Sequence, residues 1–224
     1  LYILTEAIKE GRLKNGDTVI ESSSGNMALA LAQACSYLNL KLLVVVDPFI
    51  NRSTLKLLEI YGATTHVVNE PNEHGNYLQA RLSCVKRKLE EIPNSFWPNQ
   101  YGNPSGPKAY YALMDELMLD LKHNLDYLFV ATSTCGTIMG CAKYIQQNKY
   151  DTKLIAVDAK GSVLFGDKPK KRLIPGHGSS VPSQFLDHSL IHDIVQVDDL
   201  ECVYGCHELL HSERILGGGS TGGV

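Results

Sequence analysis

The sequence predicts a parallel α/β fold in two lobes. Three observations carry that expectation. Short β-branched runs alternate with helical periods along all 224 residues. The run Lys41-Leu42-Leu43-Val44-Val45-Val46 is apolar almost throughout, the mark of a strand covered on both faces. The connections are of the length that parallel strands joined by helices require.

In order, residues 1–8 read as the inside of an amphipathic helix and 18–21 as a strand. An Ala/Leu-rich helix over 26–38 precedes the 41–46 strand, which Asp47-Pro48 ends. A helix over 54–61 is stopped by Gly62, and 64–68 is the next strand. After a turn through Pro71 and Gly75, a long helix covers 77–91. A polar, Pro/Gly-rich connection over 99–107 then leads to a helix running through Lys122. Next come a strand at 127–131, a helix at 137–147 and a strand at 154–158. The stretch 160–182 carries four glycines and three prolines and reads as irregular. A strand at 194–197 and a helix opened by Asp198-Asp199 follow. The 99–107 connection is the expected border, giving an N-terminal lobe over 1–101 and a C-terminal lobe over 102–224. Both ends read as cut. There is no initiator methionine, and 217–224 is a glycine-rich turn that leads nowhere.

Composition narrows the function classes. Hydrophobic residues at 44% support a sizeable core, and a net charge of −3 without blocks of one sign leaves no footprint for nucleic acid. Apolar runs as short as 42–46 cannot span a bilayer, so no membrane is expected. The six cysteines (35, 84, 135, 141, 202, 206) are scattered and read as reduced thiols of a cytoplasmic protein. Cys202, Cys206, His207 and His211 share one helix. The two cysteines take one face and the two histidines another, a spread poor for a tetrahedral metal; no metal is expected.

In a parallel sheet, ligands sit beyond the carboxyl ends of strands. Two loops there share one design. Glu21-Ser22-Ser23-Ser24-Gly25-Asn26 and Thr132-Ser133-Thr134-Cys135-Gly136-Thr137 each run from a strand into a helix. Small residues at a helix start present open N–H groups and the positive end of the dipole, with hydroxyls beside them. Ser, Thr and Asn are also the ordinary N-caps, so capping is the competing reading. Two such cradles favour a ligand with two anionic ends. Neither loop is a P-loop or a dinucleotide fingerprint, and the Gly-x-Ser-x-Gly at 218–222 has no following helix to make a nucleophile elbow.

At these residues the sequence resembles the fold-type II pyridoxal-phosphate (PLP) enzymes, the group of cysteine synthase and cystathionine β-synthase. Four motifs match in order: Ser23-Ser24-Gly25-Asn26, Gln100-Tyr101-Gly102-Asn103-Pro104, Ser133-Thr134-Cys135-Gly136-Thr137 and Gly217-Gly218-Gly219-Ser220-Thr221-Gly222. The resemblance implies a tryptophan synthase β-subunit-like architecture: two parallel-sheet lobes with pyridoxal 5′-phosphate in the cleft between them. The run over 156–169, with Val46-Asp47-Pro48 and Asn99-Gln100-Tyr101, looks like one branch in particular. That branch makes N-(2-amino-2-carboxyethyl)-L-glutamate, a 2,3-diaminopropionate precursor in siderophore biosynthesis, from O-phospho-L-serine and L-glutamate. Asn103-Pro104-Ser105-Gly106-Pro107 looks more like cysteine synthase.

Carried over, the resemblance implies that Ser133, Thr134, Cys135, Gly136 and Thr137 hold the cofactor phosphate. Asn26 would meet its phenolic oxygen and Ser220 its pyridine nitrogen. Ser23, Ser24, Gly25, Met27 and Gln100 would hold the amino-acid carboxylate; Tyr101, Ser133 and Arg81 would discriminate the leaving phosphate or the glutamate. For Arg81 a solvated place on a charged helix is the competing reading. The reaction implied is β-replacement through an aminoacrylate. Alternatives are a sulfur nucleophile, as in cysteine synthase, or a PLP-fold binding module without catalysis. The Schiff-base lysine is expected before Leu1, so the stretch given would not turn over. Cys135 replaces a glycine of the cysteine synthases, tolerable where φ is negative. A cytoplasmic homodimer acting on small amino acids is the remaining expectation.

Overall fold

The computed structural model describes residues 1–166 and 168–224; Asp167, part of the 156–169 run, lies outside the described residues. The chain divides into two compact units, Leu1–Asn99 and Gln100–Val224.

The first unit holds α1 (Tyr2–Lys9), β1 (Thr18–Ser22), α2 (Asn26–Tyr37), β2 (Lys41–Val46), α3 (Arg52–Ile60), β3 (Thr64–Val67), α4 (Tyr77–Glu91) and β4 (Ser95–Phe96). Its four strands are all parallel, in the order β3-β2-β1-β4. The apolar run of β2 divides by parity. Leu42, Val44 and Val46 join Leu4, Ala28, Leu31 and Leu58 in one core, while Leu43 and Val45 join Cys84 and Val85 of α4 on the other face. That is the two-sided burial expected of a central parallel strand. The register sets Ser22 beside Val45, so the loops leaving β1 and β2 emerge side by side.

The second unit holds α5 (Ser105–Lys108), α6 (Tyr111–Asp120), β5 (Tyr127–Ala131), α7 (Gly136–Asn148), β6 (Lys153–Ala159), β7 (Asp193–Val197), α8 (Asp199–Glu213) and α9 (Gly219–Gly222). Its strands are parallel in the order β5-β6-β7. Met114 and Met118 of α6 pack with Ile138, Met139 and Ile145 of α7 over Leu154 and Ala156. Residues 217–224, read as a turn leading nowhere, instead contain the single helical turn α9, which lies against α8. Among the described residues, no helix is long and apolar enough to cross a membrane.

Candidate functional site

How the helices begin separates structural starts from candidate binding starts. Asn51 caps α3, Asn76 caps α4, and Asp198 closes a full capping box with Glu201 on α8. Helix α6 runs on from α5 through helical Ala109 and Tyr110. Helices α1, α2, α5, α7 and α9 have no side-chain cap; of these, α2 and α7 follow the two hydroxyl-rich loops at the carboxyl ends of β1 and β5. The capping reading of those loops therefore fails, and their first N–H groups stay open.

On the first loop, Gly25 is the N-cap of α2, and its carbonyl accepts from Ala28 N–H at 3.0 Å, leaving the Asn26 and Met27 N–H groups ahead of the helix. Ser23 is buried, its Oγ accepting from Gly25 N–H at 3.4 Å; Ser24 is half-buried and Asn26 exposed. Beside this loop, past the end of β2, lies a pair the sequence did not reveal. Arg81 of α4 is 9% exposed and sits 3.4 Å (Nε to Oδ2) from Asp47, itself buried. The solvated reading of Arg81 is thereby corrected: the arginine turns inward because Asp47 supplies a counter-charge. Its Nε and Nη1 make no hydrogen bond, although both are buried. A buried donor without an acceptor costs roughly 1–3 kcal/mol. Gln100 and Tyr101 open the second unit and are half-buried.

On the second loop, Met139 N–H donates to the Cys135 carbonyl at 3.0 Å, so the Gly136, Thr137 and Ile138 N–H groups face the N-terminal side of α7. Cys135 has φ 65° and ψ 9°, left-handed, and is 3% exposed. The negative φ on which its tolerance was expected to depend is not there. The turn needs the conformation a glycine would supply, and cysteine holds it under strain. Burial pushes its thiol up to about 11 and nearby Asp158 adds to the rise, against a hydrogen bond with Ser183. The group stays neutral near neutrality and sets no anion against a bound phosphate. Ser133 spends its proton on the Gly178 carbonyl at 3.0 Å, and Ser183 Oγ donates to the Thr134 carbonyl at 2.7 Å. Ser133 can therefore accept toward a ligand as it stands, and must rotate to donate.

Beneath the loop, Thr132 Oγ1 donates to Asp158 Oδ1 at 2.7 Å, and Asp158 is fully buried. The strap over 172–180 lies against both. Gly178 N–H donates to the Thr132 carbonyl at 2.8 Å, and Arg172 donates to the His177 carbonyl and to Ser180 Oγ. Asp158, Arg172 and His177 escaped sequence reasoning. A carboxylate ending an otherwise apolar strand was the one available signal.

Ser220, half-buried, rides on α9. That turn is seated by glycine contact: a Cβ on Gly205 of α8 would overlap the Gly222 carbonyl, and one on Gly222 would come within 2.6 Å of Cys206 Sγ. Of the cysteines and histidines weighed for a metal, Cys206 is half-buried and His207 and His211 are exposed. Cys202 is buried against His177, and the His207 and His211 rings stack. Among the described residues, no three His, Cys, Asp or Glu side chains are grouped to hold a metal ion.

Known proteins share this fold. The family model of pyridoxal-phosphate dependent enzymes matches residues 1–224. A hydrogen sulfide-producing enzyme from Fusobacterium nucleatum superposes with TM-score 0.90 at 29% identity, over 99% of this chain and 74% of that one. An O-acetylserine dependent cystathionine β-synthase from Helicobacter pylori gives 0.89 at 30%, over 99% and 72%. A cysteine synthase from Entamoeba histolytica gives 0.89 at 26%, over 99% and 65%. The open N–H groups at the start of α7 suit a phosphate. The chain belongs to the pyridoxal-phosphate dependent enzymes, in the cysteine synthase-like group of fold-type II β-replacement enzymes, and its cofactor is pyridoxal 5′-phosphate.

Proposed function

We propose that the protein replaces the phosphate of O-phospho-L-serine by the amino group of L-glutamate, giving N-(2-amino-2-carboxyethyl)-L-glutamate and inorganic phosphate. The observation that carries this reading is Arg81: a buried guanidinium, ion-paired with Asp47 through Nε, whose Nε and Nη1 have no hydrogen-bond acceptor, past the end of the strand that neighbours β1. A substrate with one carboxylate leaves the Nη1 donors without an acceptor, with Asp47 as the counter-charge of the cation. Phosphoserine and glutamate each bring a second anionic group for which a guanidinium fork is suited.

Pyridoxal 5′-phosphate supplies the electron sink that acidifies the Cα–H of the bound amino acid. The Gly136, Thr137 and Ile138 N–H groups and the Thr134 and Thr137 hydroxyls would hold its phosphate, with Cys135 protonated beside them. Asn26 would orient the phenolic oxygen. Ser220 would give the ring nitrogen a neutral partner and so keep the sink moderate, which suits elimination. Ser23, Ser24, Gly25, Gln100 and the Met27 N–H would grip the α-carboxylate. Tyr101, Ser133 and Arg81 would receive the phosphate as it leaves, Ser133 after turning its proton from Gly178.

The natural protein carrying this chain, given phosphoserine and glutamate together, is expected to release phosphate and form the N-linked adduct, read by mass spectrometry. Replacing Arg81→Met together with Asp47→Asn, so that no buried carboxylate is orphaned, should lower kcat/KM for phosphoserine about 10- to 150-fold. Turnover of O-acetylserine, whose acetyl ester carries no charge, should barely change. Cysteine formation from sulfide without a glutamate adduct would reassign the protein to the cysteine synthases.

A further inference from the structure

The strap over 172–180 runs past both the loop after β5 and the turn bearing Ser220, and one buried side chain links the two. His177 is 1% exposed. Its Nε2 lies 3.2 Å from the Val157 carbonyl, and its Nδ1 lies 3.5 Å from Cys202 Sγ. A carbonyl only accepts, so Nε2 carries the proton. In the neutral ring Nδ1 is then bare and accepts from the Cys202 thiol. Burial first, and then Asp199, hold that thiol protonated, so it has a proton to give.

Each contact belongs to a different end of the site. The Val157 carbonyl also accepts Thr132 N–H at 2.9 Å, immediately before Ser133, and the neighbour of His177, Gly178, is bonded to both Thr132 and Ser133. Cys202 lies on α8, under the turn that ends at Gly223. A Cβ on Gly223 would meet Cys202 Sγ at 2.9 Å and His177 Cε1 at 3.0 Å. Imidazole, thiol and glycine are thus packed without spare room three residues from Ser220.

We propose that His177 is a positioning residue: through Val157 on one nitrogen and Cys202 on the other, it fixes the phosphate loop and the Ser220 turn at a set separation, and so aligns Ser220 with the ring nitrogen of the cofactor. The inference rests on the assignment of those two segments to the two ends of pyridoxal 5′-phosphate; the identity of the substrates does not enter.

The two contacts can be cut separately. In His177→Gln, the amide nitrogen can take the place of Nε2 and keep Val157 while Cys202 loses its acceptor; Cys202→Ala cuts the same link from the other side. In His177→Asn, the amide oxygen can take the place of Nδ1 and keep Cys202 while Val157 is lost. Hydrogen exchange on the cofactor-free natural protein is measured first. His177→Gln and Cys202→Ala should speed exchange of the 218–224 amides at least tenfold and leave α7 unchanged; Cys202→Ser, which retains a donor, should restore the parent pattern. The proteins are then loaded with pyridoxal 5′-phosphate. In His177→Gln and Cys202→Ala the absorbance maximum should shift while the phosphate ³¹P resonance stays. His177→Asn should move the ³¹P resonance. Unchanged exchange at 218–224 would refute the positioning role. Faster exchange with both spectra unmoved at full cofactor occupancy would instead overturn the placement of Ser220 at the ring.

Discussion

Replacing Cys135 tests the strained turn that opens α7. Cys135 sits at φ 65° and ψ 9° with its side chain buried. A left-handed backbone costs a non-glycine residue roughly 1–2 kcal/mol. Glycine avoids that cost but widens the unfolded ensemble, a loss of roughly 0.5–1 kcal/mol. Cys135→Ala removes the sulfur and keeps the strain; Cys135→Gly removes sulfur and strain together. The difference favours glycine over alanine by about 0.5–1 kcal/mol, whereas at negative φ alanine would lead by a similar margin. In a chain of this length, 1 kcal/mol moves Tm by about 2–4 °C. Cofactor-free Cys135→Gly should therefore melt about 1–4 °C above Cys135→Ala, and Cys135→Val, β-branched at positive φ, should fall below both. Thermal and urea unfolding of the three variants decide it. Alanine matching or exceeding glycine would refute the left-handed assignment and the strain argument with it.

Three further outcomes are expected. Gly205→Ala, a change that would gain up to about 1 kcal/mol inside an ordinary helix, should here cost about 1–3 kcal/mol by overpacking against the Gly222 carbonyl. It should also weaken cofactor affinity more than tenfold by fluorescence titration, and a Tm gain would contradict the seated turn. Burial raises the thiols of Cys35, Cys135 and Cys141 from about 9 to about 11. Above about pH 9 the unfolded chain sheds these protons while the folded chain keeps them, so stability falls as pH rises toward 11. The decline in Tm over that window should be shallower in Cys141→Ala; an identical slope would remove that thiol from the account. Asp198→Ala removes the α8 capping box and should cost about 1 kcal/mol by urea unfolding. The cofactor spectrum should stay unchanged, because α8 is capped from within the protein.

Much of the fold was legible because local signals and tertiary burial agreed. The β2 run is apolar at successive positions, and the structure buries them on opposite faces of one sheet. Asp198-Asp199 announced the start of α8, and the structure closes it with a capping box. The two-residue strand β4 left no trace, since Ser95-Phe96 is too short to carry a period. The candidate cradles were visible as small-residue loops. Whether a side chain caps the helix behind each loop was not legible in composition; the structure shows no such cap on α2 or α7. Arg81 lies in a charged stretch, Arg81-Leu82-Ser83-Cys84-Val85-Lys86-Arg87-Lys88, that reads as solvent-facing; its burial depends on Asp47, 34 positions earlier. His177 sits in an irregular Pro/Gly stretch, and its role depends on Val157 and Cys202, neither of them near in sequence. The Cys135 φ is set by the turn and not by the residue, so composition at that position pointed the wrong way.

On the proposed reading, a ligand completes the starts of α2 and α7, and the lifetime of the protein would then depend on that ligand. The starts of α2 and α7 lack a side-chain cap, so without a ligand their first turns would fray more readily than that of the boxed α8. A ligand at a hundred times its Kd contributes about 2.7 kcal/mol to the folded state. That is enough to change the population open to a protease by about two orders of magnitude. Vitamin supply would then set how much of this protein survives as well as how much is active, with first nicks falling around 22–30 and 132–140.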